Sequence, residues 1–298
     1  MLPVRLVGTA AITSGDAALV ERGGELAEVG AAIERARSGT GSVVLLEGHA
    51  GIGKTRLVAA SAELARSAGL EVLSARGSEL EAEFSFGVVL QLFERALRGL
   101  DAGERRSVFA GAANLAEPLL AGHEGPLTDG RGDVFTIFHG LFWVAANLCE
   151  RVPLALLIDD AHWADPPSLS FVEYVAHRIE GLPLVVVLAA RPSEPNAAGD
   201  LLLRLASHRA TAVVRPLPLT RGGVGSLMAA WGFPDAERGF VEACWRASGG
   251  FPLYLRELLV VLADAAVSAT DANSQRVAQI GPETVMAAIR VSLRPLPP

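Results

Sequence analysis

The stretch EGHAGIGKTRL, Glu47 to Leu57, contains Lys54, the only lysine in the chain; every other Lys/Arg position is arginine. It follows the apolar run SVVLLEG (42–48) and precedes TRLVAASAELARSAG (55–69), where Leu57, Val58, Ala62 and Leu64 are expected to face inward at helical spacing. A strand, then G-x-x-x-x-G-K-[ST], then a helix is the phosphate loop in the setting it requires. Its residues are Gly48, His49, Ala50, Gly51, Ile52, Gly53, Lys54 and Thr55, with Arg56 next in the first helical turn. Glycines let the backbone turn tightly and aim N–H groups at an anion without side chains in the way. The helix that follows adds unpaired N–H groups and the positive end of its dipole. Lys54 supplies a compact mobile charge for the β- and γ-phosphates, a task for which arginine's broad fork is a poor substitute. The Thr55 hydroxyl is a candidate ligand for Mg²⁺.

A second polar element follows the apolar run VPLALLIDD (152–160). Asp159, the first carboxylate at the end of that strand, is expected to hold Mg²⁺ beside the phosphate loop, and Asp160 to polarise the attacking water. LPLVVVLAAR (182–191) reads as a strand that inserts between these two and ends on Arg191, a candidate sensor of the γ-phosphate.

Working outward, a helix is expected from Gly24 to Arg37, a short strand over EVLSARG (71–77), helices over GVVLQLFERALRGL and SVFAGAANLAEPLL, and a stripe of Val134, Ile137, Phe138, Leu141, Ala145 and Leu148 on another helix. SLSFVEYVAHRIEG (168–181) reads as helix and TAVVRPLPL (211–219) as a fifth strand. Strands apolar on both faces and alternating with helices predict an α/β P-loop NTPase fold, a five-stranded parallel sheet in the order 5-1-4-3-2. The expected organisation is an irregular leader over 1–18, an ATPase core over 19–219 with a helical insertion at about 78–150, and a helical subdomain over 220–265. A polar linker and the start of a truncated following domain are expected over 266–298.

The formal net charge of −7 makes this chain a poor candidate for wrapping nucleic acid by itself. Cys149 and Cys244 stand far apart with no metal-ligand spacing and read as buried apolar thiols. No run approaches the length of a membrane span and no signal peptide is read at the N-terminus, so a cytoplasmic protein is expected. Trp163 and His139 read as core residues, His162 as able to reach a nucleotide, and Phe135, Phe138, Phe142 and Trp143 as helix packing. Arg131-Gly132-Asp133 reads as a coincidental tripeptide.

Together, Glu21-Arg22-x-x-Glu25-Leu26, EGHAGIGKTRL, RGSELEAEFSFGVVLQLFE, LLIDDAHWADPPSLSFVEYVAHRIEGLPLVVVLAARP and ASGGFPLYLRELL resemble the nucleotide-binding module of large ATP-binding LuxR-type regulators, of the STAND class, from about Leu19 to Ala263. The resemblance implies a switch in which ADP holds a closed monomer while inducer and ATP open it for self-association and transcription activation. It maps Pro252, in Gly250-Phe251-Pro252, against the adenine, Arg22 near the base, and Arg191 onto a sensor arginine. Phe251 stands where the family usually has asparagine, and Glu21-Arg22 where it has Gly-Arg. The implied cofactors are ATP or ADP with Mg²⁺, and DNA would be reached only through domains outside this chain. An AAA+-type motor or DNA-remodelling ATPase, and a nucleotide-binding module without turnover, are the alternatives.

Overall fold

The structure, a computed structural model, describes residues 19–121, 131–192 and 197–279. The expectations for the leader at 1–18 and for the start of a following domain beyond residue 279 lie outside these residues. The chain divides into two compact units. Of the described residues, the larger takes in Gly24 to His49 and Lys54 to Arg215, and the smaller residues 19–23, Ala50–Gly53 and 216–279.

The larger unit is a five-stranded parallel sheet flanked by helices. Its strands are β1 (Ser42–Glu47), β2 (Glu71–Arg76), β3 (Leu154–Asp159), β4 (Leu184–Ala190) and β5 (Thr211–Val214). Their order is β2-β3-β4-β1-β5, the order expected from the sequence. Every residue of β3 and β4 is buried, because both faces are covered, so these strands read as unbroken apolar runs. β2 lies at an edge and alternates between exposed and buried positions. β5, at the other edge, is shorter than expected, stopping ahead of Pro216 and Pro218, which lack the N–H a ladder needs. The parallel register places Arg76 opposite Asp159 and Glu47 opposite Ala190, so the strand ends that carry polar residues share one edge.

In chain order the helices here are α1 (Gly23–Arg37), α2 (Lys54–Ser67), α3 (Gly87–Arg98), α4 (Ala102–Val108), α5 (Glu117–Leu120), α6 (Arg131–Cys149), α7 (Pro166–Ala176) and α8 (Ala197–Ala206). Leu57, Val58 and Ala62 of α2 are buried, but Leu64 is not; Ser61 and Ala65 complete the inward stripe. On α6, Phe138, Leu141, Ala145 and Leu148 are buried while Val134 is exposed. The single helix expected over SVFAGAANLAEPLL is instead α4, a 3-10 turn at Gly111–Ala116, and α5. Ala110 is extended and Gly111 has φ +63, which ends the helical run, and Pro118 starts the next.

The smaller unit packs α9 (Arg221–Ala230), α10 (Arg238–Ser248), α11 (Pro252–Asp264) and α12 (Ser274–Gln279) around Phe240, Cys244, Leu255, Leu258 and Leu262. Residues 266–279, expected as a linker, carry a 3-10 turn and α12, with Val267 and Val277 buried in that core. Asp271 accepts hydrogen bonds from the Gly239 and Phe240 N–H groups at 2.6 and 3.2 Å, capping α10 from a distance. The polar composition of this stretch therefore serves capping and turns rather than solvation alone.

Both cysteines are buried and free, as expected, and burial pushes each thiol up to about 12. Among the described residues no helix is long and apolar enough to cross a membrane.

Candidate functional site

In the larger unit, β1 delivers the chain to Gly48, whose N–H donates to Ala190 O on β4 at 3.1 Å. Lys54, at the start of α2, is 7 % exposed. Its ammonium folds back and donates to the carbonyl oxygens of Gly48 at 2.7 Å and His49 at 3.1 Å. Burial lowers its pKa; Asp160 and Asp159 oppose that shift and Arg191 adds to it. The only lysine thus lies in the field of all three residues expected to share the site. The hydrogen-bond partners of this buried ammonium are neutral carbonyls, which an anion could replace as its ligand. Thr55 and Arg56 follow on the exposed side of α2.

Asp159 ends β3 and is 7 % exposed; its Oδ1 accepts the Asp160 N–H at 2.9 Å. With the Thr55 hydroxyl it offers hard oxygen donors, the set that suits Mg²⁺. Asp160 sits in the left-handed region, φ 47° and ψ 41°, at the head of a 3-10 turn, Ala161–Trp163. Its Oδ2 accepts from Arg76 Nη2 at 2.7 Å and Nε at 3.0 Å. Sequence reading missed Arg76, which looks like a surface arginine until β2 is paired with β3. It missed Gly77 too, where a Cβ would stand 2.3 Å from Asp160 O and 2.9 Å from Ala164 N, so only glycine admits this approach of the turn.

Two further residues of the turn matter. Asp165 is 2 % exposed; its carboxylate accepts from the N–H groups of Phe86 at 2.8 Å, Ser168 at 2.9 Å and Val88 at 3.2 Å. It therefore caps both α7 and the distant start of α3. His162 has both ring nitrogens buried with no hydrogen-bond partner among the described residues, an arrangement that costs about 1–3 kcal/mol per unsatisfied group. Burial pushes its pKa down to about 4, with Arg191 and Lys54 adding and Asp160 opposing, so the ring is neutral at ordinary pH. Trp163 is half-buried, its ring 5.2 Å from that of His162. Arg191 follows β4 and is exposed.

In the smaller unit, Arg22 is 5 % exposed and donates from Nη2 to Ile52 O at 3.2 Å and from Nη1 to Glu21 O at 3.0 Å. Gly51 O accepts the Leu253 N–H at 3.2 Å, one residue past Pro252 at the start of α11. Gly250 O in turn accepts the Leu219 N–H at 2.8 Å. Arg22 and the first turn of α11 therefore meet neighbouring loop carbonyls, those of Ile52 and Gly51 respectively.

Comparison with known proteins bears on the fold and the family. An uncharacterized protein of Rhizobium meliloti (strain 1021) is 26 % identical over 261 residues, which is 80 % of this chain and 24 % of that protein. The chain therefore spans about a quarter of the length of that relative. Among solved structures, ORC2 of Aeropyrum pernix in its ADPNP–ADP complexes superposes with a TM-score of 0.57 at 14 % identity, covering 90 % of this chain and 70 % of that one. Cdc6p from Pyrobaculum aerophilum gives 0.55 at 14 % identity, with 87 % and 66 % covered, so the chain spans just under two thirds of it. A Walker-type ATPase of Pyrococcus abyssi gives 0.55 at 15 % identity, with 91 % and 75 % covered. At these identities the likeness is one of fold. Residues 18–187, which hold the phosphate loop, both aspartates, strands β1 to β3 and the start of β4, match the AAA ATPase domain, and the chain belongs to that family.

Proposed function

We propose that this chain is an ATP/ADP switch module with slow, Mg²⁺-dependent hydrolysis, belonging to a LuxR-type transcriptional activator whose sensor and DNA-binding parts lie outside it. The observation that carries the reading is the buried Lys54 ammonium, held on neutral carbonyls in the field of Asp159, Asp160 and Arg191. The peptides of Gly48–Gly53 and the start of α2 would cradle the phosphates, with Lys54 on the β- and γ-oxygens. Thr55 and Asp159 would hold Mg²⁺, which neutralises phosphate charge when bound. Asp160 would orient the attacking water, and Arg191 would sense the γ-phosphate. Arg22 and Pro252 would flank the base; Arg22 reaches Ile52 O, and Leu253, next to Pro252, reaches Gly51 O.

The regulatory half of the reading rests on DDAHWAD after β3 and Gly250-Phe251-Pro252 before α11. ATP and ADP differ by one phosphate, and a ligand shifts a conformational equilibrium only through differential affinity. Nucleotide-dependent self-association would be the output of this chain, and its net charge of −7 leaves DNA contact to other domains. In domain terms the proposal is a core over 19–219 and a helical subdomain from 220.

The test is to denature the purified chain, identify released nucleotide, and measure turnover with and without DNA. Retained ADP and a rate well below about 1 s⁻¹, low against typical enzymes, is the expected result. DNA-stimulated multiple turnover would identify a motor instead. Lys54→Ala is expected to abolish nucleotide retention; binding at the wild-type level would remove the phosphate loop from the mechanism.

A further inference from the structure

We propose that the cavity between β2 and the C-terminal end of α3 binds a free α-amino acid with an apolar side chain. The cavity has a volume of about 300 Å³, at the small end of the range for ligand pockets and suited to a molecule of that size. It lies wholly in the larger unit. Glu71, which lines it, pairs in register with Leu154, whereas Arg76 pairs with Asp159. The cavity is therefore at the opposite end of β2 from Asp159 and the turn after β3.

The strand supplies a backbone donor and acceptor. Glu71 N donates to Pro153 O and Gly77 N to Asp159 O, both toward β3. Peptide groups alternate in direction along a strand, so those of Val72, Ser74 and Arg76 point away from β3. β2 is an edge strand, and no further strand pairs with them. α3 lies on that side, because Arg76 N donates to Gln91 Oε1 at 3.0 Å. Val72 lines the cavity and presents to it an N–H and a C=O that the ladder leaves unpaired.

The helix leaves the room. Gly99 caps the end of α3 with φ −86° and ψ −6°, a conformation open to any residue. A Cβ built there meets nothing within 4 Å. Neither strain nor packing requires glycine at this position; what its missing side chain does is keep the cavity open. Leu73 and Leu148, both buried, and the half-buried Leu100 give it an apolar wall. Of the charged groups, Arg151 donates from Nη2 to Glu104 Oε1, and Glu104 Oε2 accepts the Asp101 N–H at 2.9 Å, so that pair is engaged. Glu71 and Arg95 remain, one of each sign, and neither side chain has a hydrogen-bond or ion-pair partner among the described residues. An α-amino acid matches this set group for group. Its carboxylate would accept from the Arg95 guanidinium and the Val72 N–H, and its ammonium would donate to the Glu71 carboxylate and Val72 O. Its side chain would lie on the three leucines. A simple anion would leave Glu71 unmatched, and a hydrocarbon would leave both charges and the peptide unmatched.

The experiment titrates the full chain with L-leucine by calorimetry, and follows the backbone amides by NMR in parallel. Saturable binding with a Kd at or below about 1 mM is expected, and the Val72 amide resonance should move as leucine is added. Glycine, which lacks the apolar group, and N-acetyl-L-leucine amide, which lacks both charges, should each bind at least about tenfold more weakly. Arg95→Gln and Glu71→Gln, at exposed positions, should each weaken leucine by about tenfold, the scale of one hydrogen bond to a charged group. Gly99→Leu should abolish binding by filling the cavity while thermal unfolding stays unchanged. If that variant does not fold, the two surface variants decide the matter. No saturable binding up to about 10 mM leucine, binding that survives Gly99→Leu, or glycine and the amide binding as tightly as leucine would each overturn the proposal, as would unchanged affinity in both surface variants. These readouts involve no nucleotide, so their failure leaves the phosphate-loop reading untouched.

Discussion

The loop after β1 and the turn after β3 both end a buried strand at the same edge of the sheet, but they are made of different materials. The first is built from backbone: Gly51 and Gly53 take φ of +81° and +104°, and Lys54 folds onto the carbonyls of Gly48 and His49. The second is built from side chains. Asp159 accepts the next N–H, Asp160 takes Arg76, and Asp165 takes three N–H groups from two helices. A loop of peptide groups suits an anion of any substituent, whereas a turn of carboxylates can separate positioning from chemistry. The two aspartates of the turn differ in this respect: Asp165 is buried and fully engaged in structure, and Asp160 is left-handed, partly open and paired with Arg76.

The largest effect that would break this division is on turnover. Asp160→Asn keeps the size of the side chain and removes its basicity. We expect hydrolysis to fall by about 10²-fold or more, the usual weight of a general base, while ATP affinity stays within a few-fold. Single-turnover assays beside binding measurements check this. An unchanged rate would move Asp160 to the structural side of the comparison, with Asp165.

Asp165→Ala should do the reverse. It leaves the N–H groups of Phe86, Val88 and Ser168 without their acceptor and uncaps both α3 and α7. The expected cost is about 3 kcal/mol, from lost capping and unsatisfied buried donors. Urea unfolding reads it as a lower midpoint with an unchanged slope. A loss below about 1 kcal/mol would mean that water replaces the carboxylate, and that the turn is held mainly by Gly77 and its backbone.

These two aspartates also mark how far the sequence could be read. The strands were legible because sheet positions covered on both faces must be apolar, and the phosphate loop because its glycine spacing is itself the mechanism. Asp159 and Asp160 were legible as the polar end of such a strand. Asp165 was not, because two of its partners, Phe86 and Val88, lie 79 and 77 residues away and nothing local announces them. His162 reads in the sequence as able to reach a nucleotide, but its unmet nitrogens depend on what does not pack against it. The breaks at Ala110 and Gly111, and the capping by Asp271, follow from local geometry and distant N–H groups that periodicity ignores.

Arg76 is the residue that register alone reveals, and it gives the sharpest form of the comparison at the smallest energy. Its place opposite Asp159 follows once β2 is paired with β3, and from there it reaches Asp160 with two nitrogens. The Asp160 carboxylate raises the guanidinium's pKa, chiefly through these hydrogen bonds. The arginine side chain is 67 % exposed and the aspartate 20 %, so solvent screens the pair. If Asp160 is a functional rather than a structural group, Arg76→Ala should change folding stability by no more than about 1 kcal/mol. A double-mutant cycle with Asp160→Asn should then return a coupling of the same small size in unfolding. A coupling as large as the Asp165 effect would make Arg76–Asp160 a structural clamp, and the turn would have no part reserved for chemistry. A small coupling in unfolding beside a change in turnover would place the pair on the reaction, because what Arg76 then controls is where the Asp160 carboxylate points.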